Sequence, residues 1–397
     1  MAEISIDDLP FSFSQRRILE QMDTDLRIWG EGTLAEIFPF ELAEKYSGKT
    51  LAKKSFAATV RRFEDIKKSP KSYEGAPEYS YDRKIEFTEV HREKLPLGFC
   101  PVASEATRCC NLLTLDAVES CGFDCSYCSI QSFYNQNRIG FDPDFAARLR
   151  DLKLDPDTVY HIGTGQSSDS LMWGNRGGVL EALFDFARRN PNVILELKTK
   201  SDNISWLLKN PPPSNVLTTW SLNPQRIIEH EEHLSASLER RLEAARAVAD
   251  TGAIVGFHFH PIVVYEGYRK EYGEIYDTIL DMFDPSEVAM VSLGTLTFIK
   301  PVIKKLRERK MRTKIYQMPM EEVNGKLSYP REMKLEMFRH AYDSFSPWHG
   351  RVFFYMCMEP HDLWRDVFGY EFSSNEQFEE MMKSSYMAKI EARRCMR

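Results

Sequence analysis

From residue 158 to residue 293, short apolar runs alternate with amphipathic stretches. The runs at 158–162, 193–197, 216–222, 253–259 and 288–293 are dense in Val, Ile, Leu and Phe and predict buried strands. Residues 179–189, 204–209, 238–251 and 275–283 carry apolar side chains at helical spacing and predict helices, and 300–312 extends the series. Another apolar run, 111–118, comes before them. Six strands separated by helices call for a parallel sheet with right-handed crossovers. The expected fold is therefore α/β, a partial (β/α)6 barrel over 96–314, with an open doubly wound sheet as the alternative. No GxGxxG follows the first strand, which counts against a dinucleotide-binding fold.

The flanks differ in character. Residues 1–33 show little periodicity and are expected to be partly loose. Between 34 and 68 two helical segments are expected, the second with Leu51, Phe56, Val60, Phe63 and Ile66 as its stripe. Pro70, Gly75 and Pro77 mark 69–94 as an irregular connection. Beyond 314, Asn324-Gly325 lies between strand-like segments and signals a hairpin, 351–357 reads as a strand, and helices follow. The chain thus divides into an N-terminal mostly helical extension (1–95), the barrel (96–314) and a C-terminal α+β extension (315–397).

Composition narrows the function. The 397 residues are 43% hydrophobic and 28% charged, as in a globular protein, and no apolar run is long enough to span a membrane. The first eight residues lack the basic start and apolar core of a secretory signal. Most of the eight cysteines fall between 100 and 128, which fits a reducing cytoplasm better than a disulfide framework. Net charge is −7, yet 49–71 carries eight Lys and Arg against two acids, and 300–314 carries eight against one. Such stretches can neutralise phosphates of DNA or a nucleotide; they can equally be solvated helix faces.

The chemistry centres on Cys121, Cys125 and Cys128. Three thiolates within eight residues can ligate three irons of a [4Fe–4S] cluster, and no fourth ligand follows nearby. The fourth iron is then open to a substrate. A zinc site completed by Cys109 or Cys110 is the alternative. Polar residues also recur at the strand ends, where parallel α/β barrels keep their functional groups. They are Gly163, Gly165, Gln166, Ser168 and Asp169; then Lys198 and Lys200; then Ser221 and Asn223; then His258 and His260. Each taken alone could be structural.

The cysteine spacing resembles the CxxxCxΦC loop of the radical S-adenosylmethionine (SAM) superfamily, in which the open iron binds SAM and reductive cleavage yields a 5′-deoxyadenosyl radical. The wider set resembles the spore photoproduct lyase family of that superfamily, enzymes that return a thymine dimer in DNA to two thymines. It comprises Cys121 to Cys128 with Gln131, Gln166 to Asp169, Thr199-Lys200, Ser221 to Asn223, Arg241 to Ala245, Gly256-Phe257, Pro261-Ile262 and Glu266-Gly267.

The resemblance implies a radical SAM barrel, a [4Fe–4S] cluster on Cys121, Cys125 and Cys128, and SAM held by Ser168, Lys200 and Ser221 with Tyr127 beside the adenosine. A reducing partner such as flavodoxin or ferredoxin is implied as well. Two departures stand out. Gln166 occupies the position of the family's hydrogen-donor cysteine, and Ser129 that of its relay tyrosine. Cys357, near a predicted strand end, is the candidate replacement donor and, with Tyr127, a candidate catalytic residue. Cys100, Cys109 and Cys110 are candidates for redox or metal chemistry. Two competing readings remain: a radical SAM enzyme modifying a substrate other than DNA, and a non-catalytic, metal-stabilised nucleic-acid-binding protein.

Overall fold

The computed structural model describes residues 5–76, 84–100, 107–133, 137–323 and 325–396. The chain forms two compact units, one of residues 82–263, 267–296 and 331–397, the other of residues 1–81, 264–266 and 297–330.

The first unit is built on an eight-stranded sheet. Its strands are β1 (Leu97–Phe99), β2 (Leu113–Leu115), β3 (Tyr160–Thr164), β4 (Val193–Thr199), β5 (Val216–Ser221), β6 (Ile254–Ile262), β7 (Val288–Thr295) and β8 (Phe353–Met356). They lie side by side in chain order. All neighbours are parallel except β1, which is antiparallel to β2. Strands β2 to β7 are the six expected from the hydrophobic pattern. Strand β7 is buried along its whole length, as expected of a parallel strand covered on both faces. Helix Val179–Arg189 follows β3 and buries Leu180, Leu183, Phe184 and Ala187.

Three features depart from expectation. Strand β8 belongs to the barrel sheet rather than to a separate extension, pairing Met290 to Leu293 of β7 with Phe353 to Met356. Strands β6 and β7 run on to Ile262 and Thr295, because His258, His260 and Ser292 continue the strands where their polarity suggested an end. Finally, the chain bridges from one side of the sheet to the other. Thr107, ahead of β2, pairs antiparallel with Pro360, beyond β8, and the Arg108 amide donates to the Glu359 carbonyl at 3.2 Å. Cys110 and Cys357 flank this bridge, close enough that the one thiol acts on the other.

Among the barrel's side chains is a buried polar layer. Glu196 on β4 accepts from His161 on β3 (2.9 Å), Thr219 on β5 (2.8 Å) and His258 on β6 (2.7 Å), and His258 also bonds Ser292 on β7 (2.6 Å). Tyr386, from helix Asn375–Met396, meets the His161 ring edge-on at 5.6 Å.

The second unit overturns the expectation for residues 1–33. Helix Phe13–Trp29 occupies the middle of that stretch, started by a reciprocal Ser12–Gln15 capping box and ended by Gly30 in the left-handed conformation. Leu19, Met22, Leu26 and Trp29 are its buried face. Trp29 stacks on Phe63 of helix Gly48–Lys68 with centroids 5.2 Å apart and meets Tyr316 at 5.5 Å. Asp25 receives two hydrogen bonds from Arg307 of helix Lys300–Arg309. Both basic stretches thus fall in this unit, which carries 21 Lys and Arg against 18 Asp and Glu in a chain of net charge −7. Glu321–Val323 and Lys326–Ser328 form the expected hairpin; Asn324, at its turn, lies outside the described residues. Among the described residues no helix is long and apolar enough to cross a membrane.

Candidate active site

The cysteine loop is tied down from both sides. Gly122 leaves room for Met172 and Trp173; a Cβ there would lie 2.2 Å from Met172 Cε and 2.8 Å from Trp173 Cη2. Asp124–Cys125 pairs antiparallel with Glu232–His233, setting Cys125 opposite Glu232. The Ser126 amide donates to the Glu231 carbonyl at 2.9 Å, and Ser126 Oγ donates to Glu231 Oε2 at 2.5 Å. Gln131 closes the loop with a 2.8 Å bond to the Ser126 carbonyl.

Burial pushes the Cys121 thiol well up, with Asp169 and the other two cysteines adding to it. The Cys125 thiol rises to about 12, chiefly by burial, with Lys200 opposing. Thiols in such a pocket stay protonated until a bound cation supplies the missing charge. Among the described residues, no three His, Cys, Asp or Glu side chains gather tightly enough to hold one metal ion. A cluster asks less, since each thiolate takes its own iron.

Lys200 lies over this loop. Its ammonium donates to Tyr127 Oη at 2.5 Å, lies 3.9 Å from Cys125 Sγ and 3.3 Å from Glu232 Oε1, and sits over the Tyr127 ring at 4.7 Å. Tyr127 also hydrogen-bonds Glu232. The other Glu232 oxygen pairs with Arg241 at 2.6 Å. Asn223 donates to Glu232 at 2.7 Å and accepts from Tyr272 at 2.6 Å. Arg241 also binds the Ser221 carbonyl at 2.8 Å, so one guanidinium orients the end of β5 and the acid facing Cys125.

The Asp169 carboxylate serves the loop itself. It accepts from the amides of Leu171, Met172 and Lys200 and from Thr199 Oγ1, at 2.7–3.0 Å. Those bonds fix the Lys200 backbone against the loop that follows β3. Ser168 is different: its hydroxyl is buried without a hydrogen-bond partner among the described residues. Gly165 has φ +90°, and a Cβ there would lie 2.7 Å from the Lys198 carbonyl oxygen. An orphaned hydroxyl, three thiols and a tight glycine turn fit a polar cofactor laid over the loop.

Other expected residues are placed as follows. Gly163 gives its side-chain space to Leu112, 3.1 Å from an added Cβ. The half-buried His260 packs against Gly294, and burial, then Lys198, lowers its imidazole to about 3. The Cys357 amide bonds the Leu293 carbonyl at 2.8 Å, and burial pushes its thiol up to about 12. Gln166 is half-buried and Ser129 exposed.

Sequence reasoning missed Glu231 and Glu232, and gave Arg241 no role. The available signal was an acidic pair shortly after the Ser221–Asn223 strand end; its partners in the cysteine loop lie 105 residues away.

Residues 120–336 match the family model for spore photoproduct lyase. A spore photoproduct lyase of Clostridium acetobutylicum is 26% identical over 181 residues, 44% of this chain and 53% of the relative. One from Geobacillus sp. is 22% identical over 202 residues, 49% and 59% respectively. The chain therefore matches only about half to three-fifths of these relatives' length. A solved spore photoproduct lyase complexed with dinucleoside spore photoproduct shares the fold, with TM-score 0.59 at 20% identity, over 68% of this chain and 82% of that one. A mutant with bound AdoMet and the same dinucleoside superposes with TM-score 0.57 at 19% identity and the same coverage. The family match takes in more than half of the chain, including the cysteine loop and every strand from β3 to β7: the chain belongs to the spore photoproduct lyase family.

Proposed function

We propose that this chain is a radical SAM enzyme of the lyase type that acts on a dimerised pyrimidine in DNA. Cys121, Cys125 and Cys128 would hold a [4Fe–4S] cluster. Ser168, Lys200, Ser221, Asn223 and the Gly163–Gly165 turn would hold SAM, with Tyr127 and His260 beside it. When bound, such a cluster would supply the one electron for reductive cleavage of SAM to methionine and 5′-deoxyadenosine, with the added hydrogen atom taken from the substrate. Lys200 neutralises a carboxylate, Ser168 donates its idle hydroxyl, and Glu232 fixes Tyr127 and Lys200. Cys357 returns a hydrogen atom to the substrate in place of the cysteine that Gln166 replaces.

The observation that carries this reading is the buried Ser168 hydroxyl, without a partner among the described residues and next in the chain to Asp169, which acts on the Cys121 thiol and bonds the Lys200 amide, in a chain of this family. The solved relatives' dinucleoside ligand supports a nucleic-acid substrate, and the basic stretches 49–71 and 300–314 would meet its phosphates. On this reading the unit of residues 82–263, 267–296 and 331–397 carries the radical chemistry, while the unit holding both basic stretches serves the substrate. A reducing cytoplasm and a flavodoxin- or ferredoxin-like electron donor go with it.

The test is anaerobic reconstitution with iron and sulfide, reduction with dithionite, and chromatography for 5′-deoxyadenosine after adding SAM. Product that disappears in Cys125→Ala supports the reading, and a dimer-containing oligonucleotide then tests the substrate. A protein with a full iron complement that neither binds nor cleaves SAM overturns it.

A further inference from the structure

Lys198 stands on β4 two residues after Glu196, so the two side chains leave the same face of the strand, and Lys200 follows just past the strand's end. Both neighbours are committed. Glu196 is bonded to His161, Thr219 and His258, and Lys200 to Tyr127 and Glu232. The Lys198 ammonium makes no hydrogen bond or ion pair among the described residues.

The layer around it follows from the layer below. Glu196, Thr219, His258 and Ser292 are joined by hydrogen bonds inside the barrel. Two residues further along each strand come Lys198, Ser221, His260 and Gly294, with Cys357 two beyond Tyr355. A Cβ on Gly294 would lie 2.5 Å from His260 Cδ2, so the imidazole lies against the β7 backbone. The Lys198 charge is felt by His258, His260 and Cys357 alike, which sets it among residues from β6 and from just beyond β8. This layer contains a hydroxyl, an imidazole and a thiol but no carboxylate. A half-exposed ammonium in a layer without a carboxylate lacks only an anion.

We propose that Lys198 binds an anionic phosphodiester oxygen of the substrate and thereby holds the reacting bases beside Cys357. The inference rests on the proposed function for its substrate class and adds the group that recognises the phosphate between the two bases. Lys200 faces the cluster loop and SAM; Lys198, one layer deeper, faces the nucleic acid.

The probe is thymidylyl-thymidine, titrated into anaerobically reconstituted full-length protein, alongside the same dinucleoside with an uncharged methylphosphonate linkage. The native protein is expected to favour the phosphodiester by about ten- to a hundredfold, the range of a charge-assisted hydrogen bond. In Lys198→Met that preference disappears, while Lys198→Arg keeps part of it. SAM affinity and substrate-free 5′-deoxyadenosine formation are unchanged in both. Equal weakening toward both probes overturns the proposal, as does a loss of SAM affinity, which would give the ammonium to the SAM carboxylate. Lys198→Gln replaces the Met variant if that one melts early. Failure of the native protein to make 5′-deoxyadenosine counts against the proposed function instead, and the phosphate preference is read by binding either way.

Discussion

Glu232 lies opposite Cys125 in a two-residue antiparallel ladder, and its carboxylate is the countercharge for both Lys200 and Arg241. Burial pushes the Glu232 carboxyl up, but Lys200, Arg241, Tyr127 and Asn223 outweigh that and bring it down to about 2. Removing this one charge strands two cations among buried groups. Glu232→Gln is expected to cost about 3–5 kcal/mol in denaturant unfolding, the usual loss when half of a buried pair is deleted. Adding Arg241→Met should recover part of the deficit, because the two residues share one interaction. A single-variant loss below about 1 kcal/mol would mean water reaches the cluster.

Ser168 separates folding from ligand binding. A buried hydroxyl with no partner is a cost in the free protein, so Ser168→Ala should leave the melting temperature unchanged or slightly raised. The same variant should bind SAM about five- to twentyfold more weakly, read by equilibrium dialysis on the reconstituted protein. Lower stability with unaltered SAM affinity would make the hydroxyl structural.

How much of this was legible in the sequence depends on the range of each interaction. Strands β3 to β7 and helix Val179–Arg189 announce themselves because burial on both faces, or on one stripe, writes a local period. The Ser12–Gln15 capping box was equally local but went unread, since the helix it starts has only a thin apolar stripe. Glu232, Arg241 and Cys125 are another matter. A charge network is assembled from distant segments, and no period marks it; the same is true of the bridge that brings Thr107 to Pro360. The extension of β6 through His258 and His260 was hidden because buried polar side chains look like a strand end.

That polar layer makes stability depend on pH. His258 is held neutral: burial, then Lys198, outweighs Glu196 and lowers its imidazole to about 4. A histidine depressed in the folded state binds its proton more readily when unfolded. Its contribution is therefore whole above about pH 6.5 and is lost as pH falls toward 4. Denaturant melts from pH 7.5 to 4 should show a decline of up to about 3 kcal/mol from this residue. His258→Gln should flatten that limb while lowering stability at pH 7.5. An unchanged slope would mean that other groups govern the acid transition.

Cys357 and Gln166 divide the final step of the proposed reaction. A substrate radical must recover a hydrogen atom, and an amide N–H is too strong a bond to give one, which rules out Gln166. The Cys357 thiol, pushed up to about 12 by burial, keeps its hydrogen at neutral pH, and its backbone is anchored to Leu293 at the end of β7. Cys357→Ala is therefore expected to form 5′-deoxyadenosine at close to the native rate while the yield of restored pyrimidine falls at least about tenfold. Because a thiol exchanges with solvent, the native enzyme in deuterium oxide should place deuterium in the product, and the variant should not. Native yield and native labelling in Cys357→Ala would move the donor to another thiol. Cys110, whose thiol is acted on by both Cys109 and Cys357, would then be the residue to substitute.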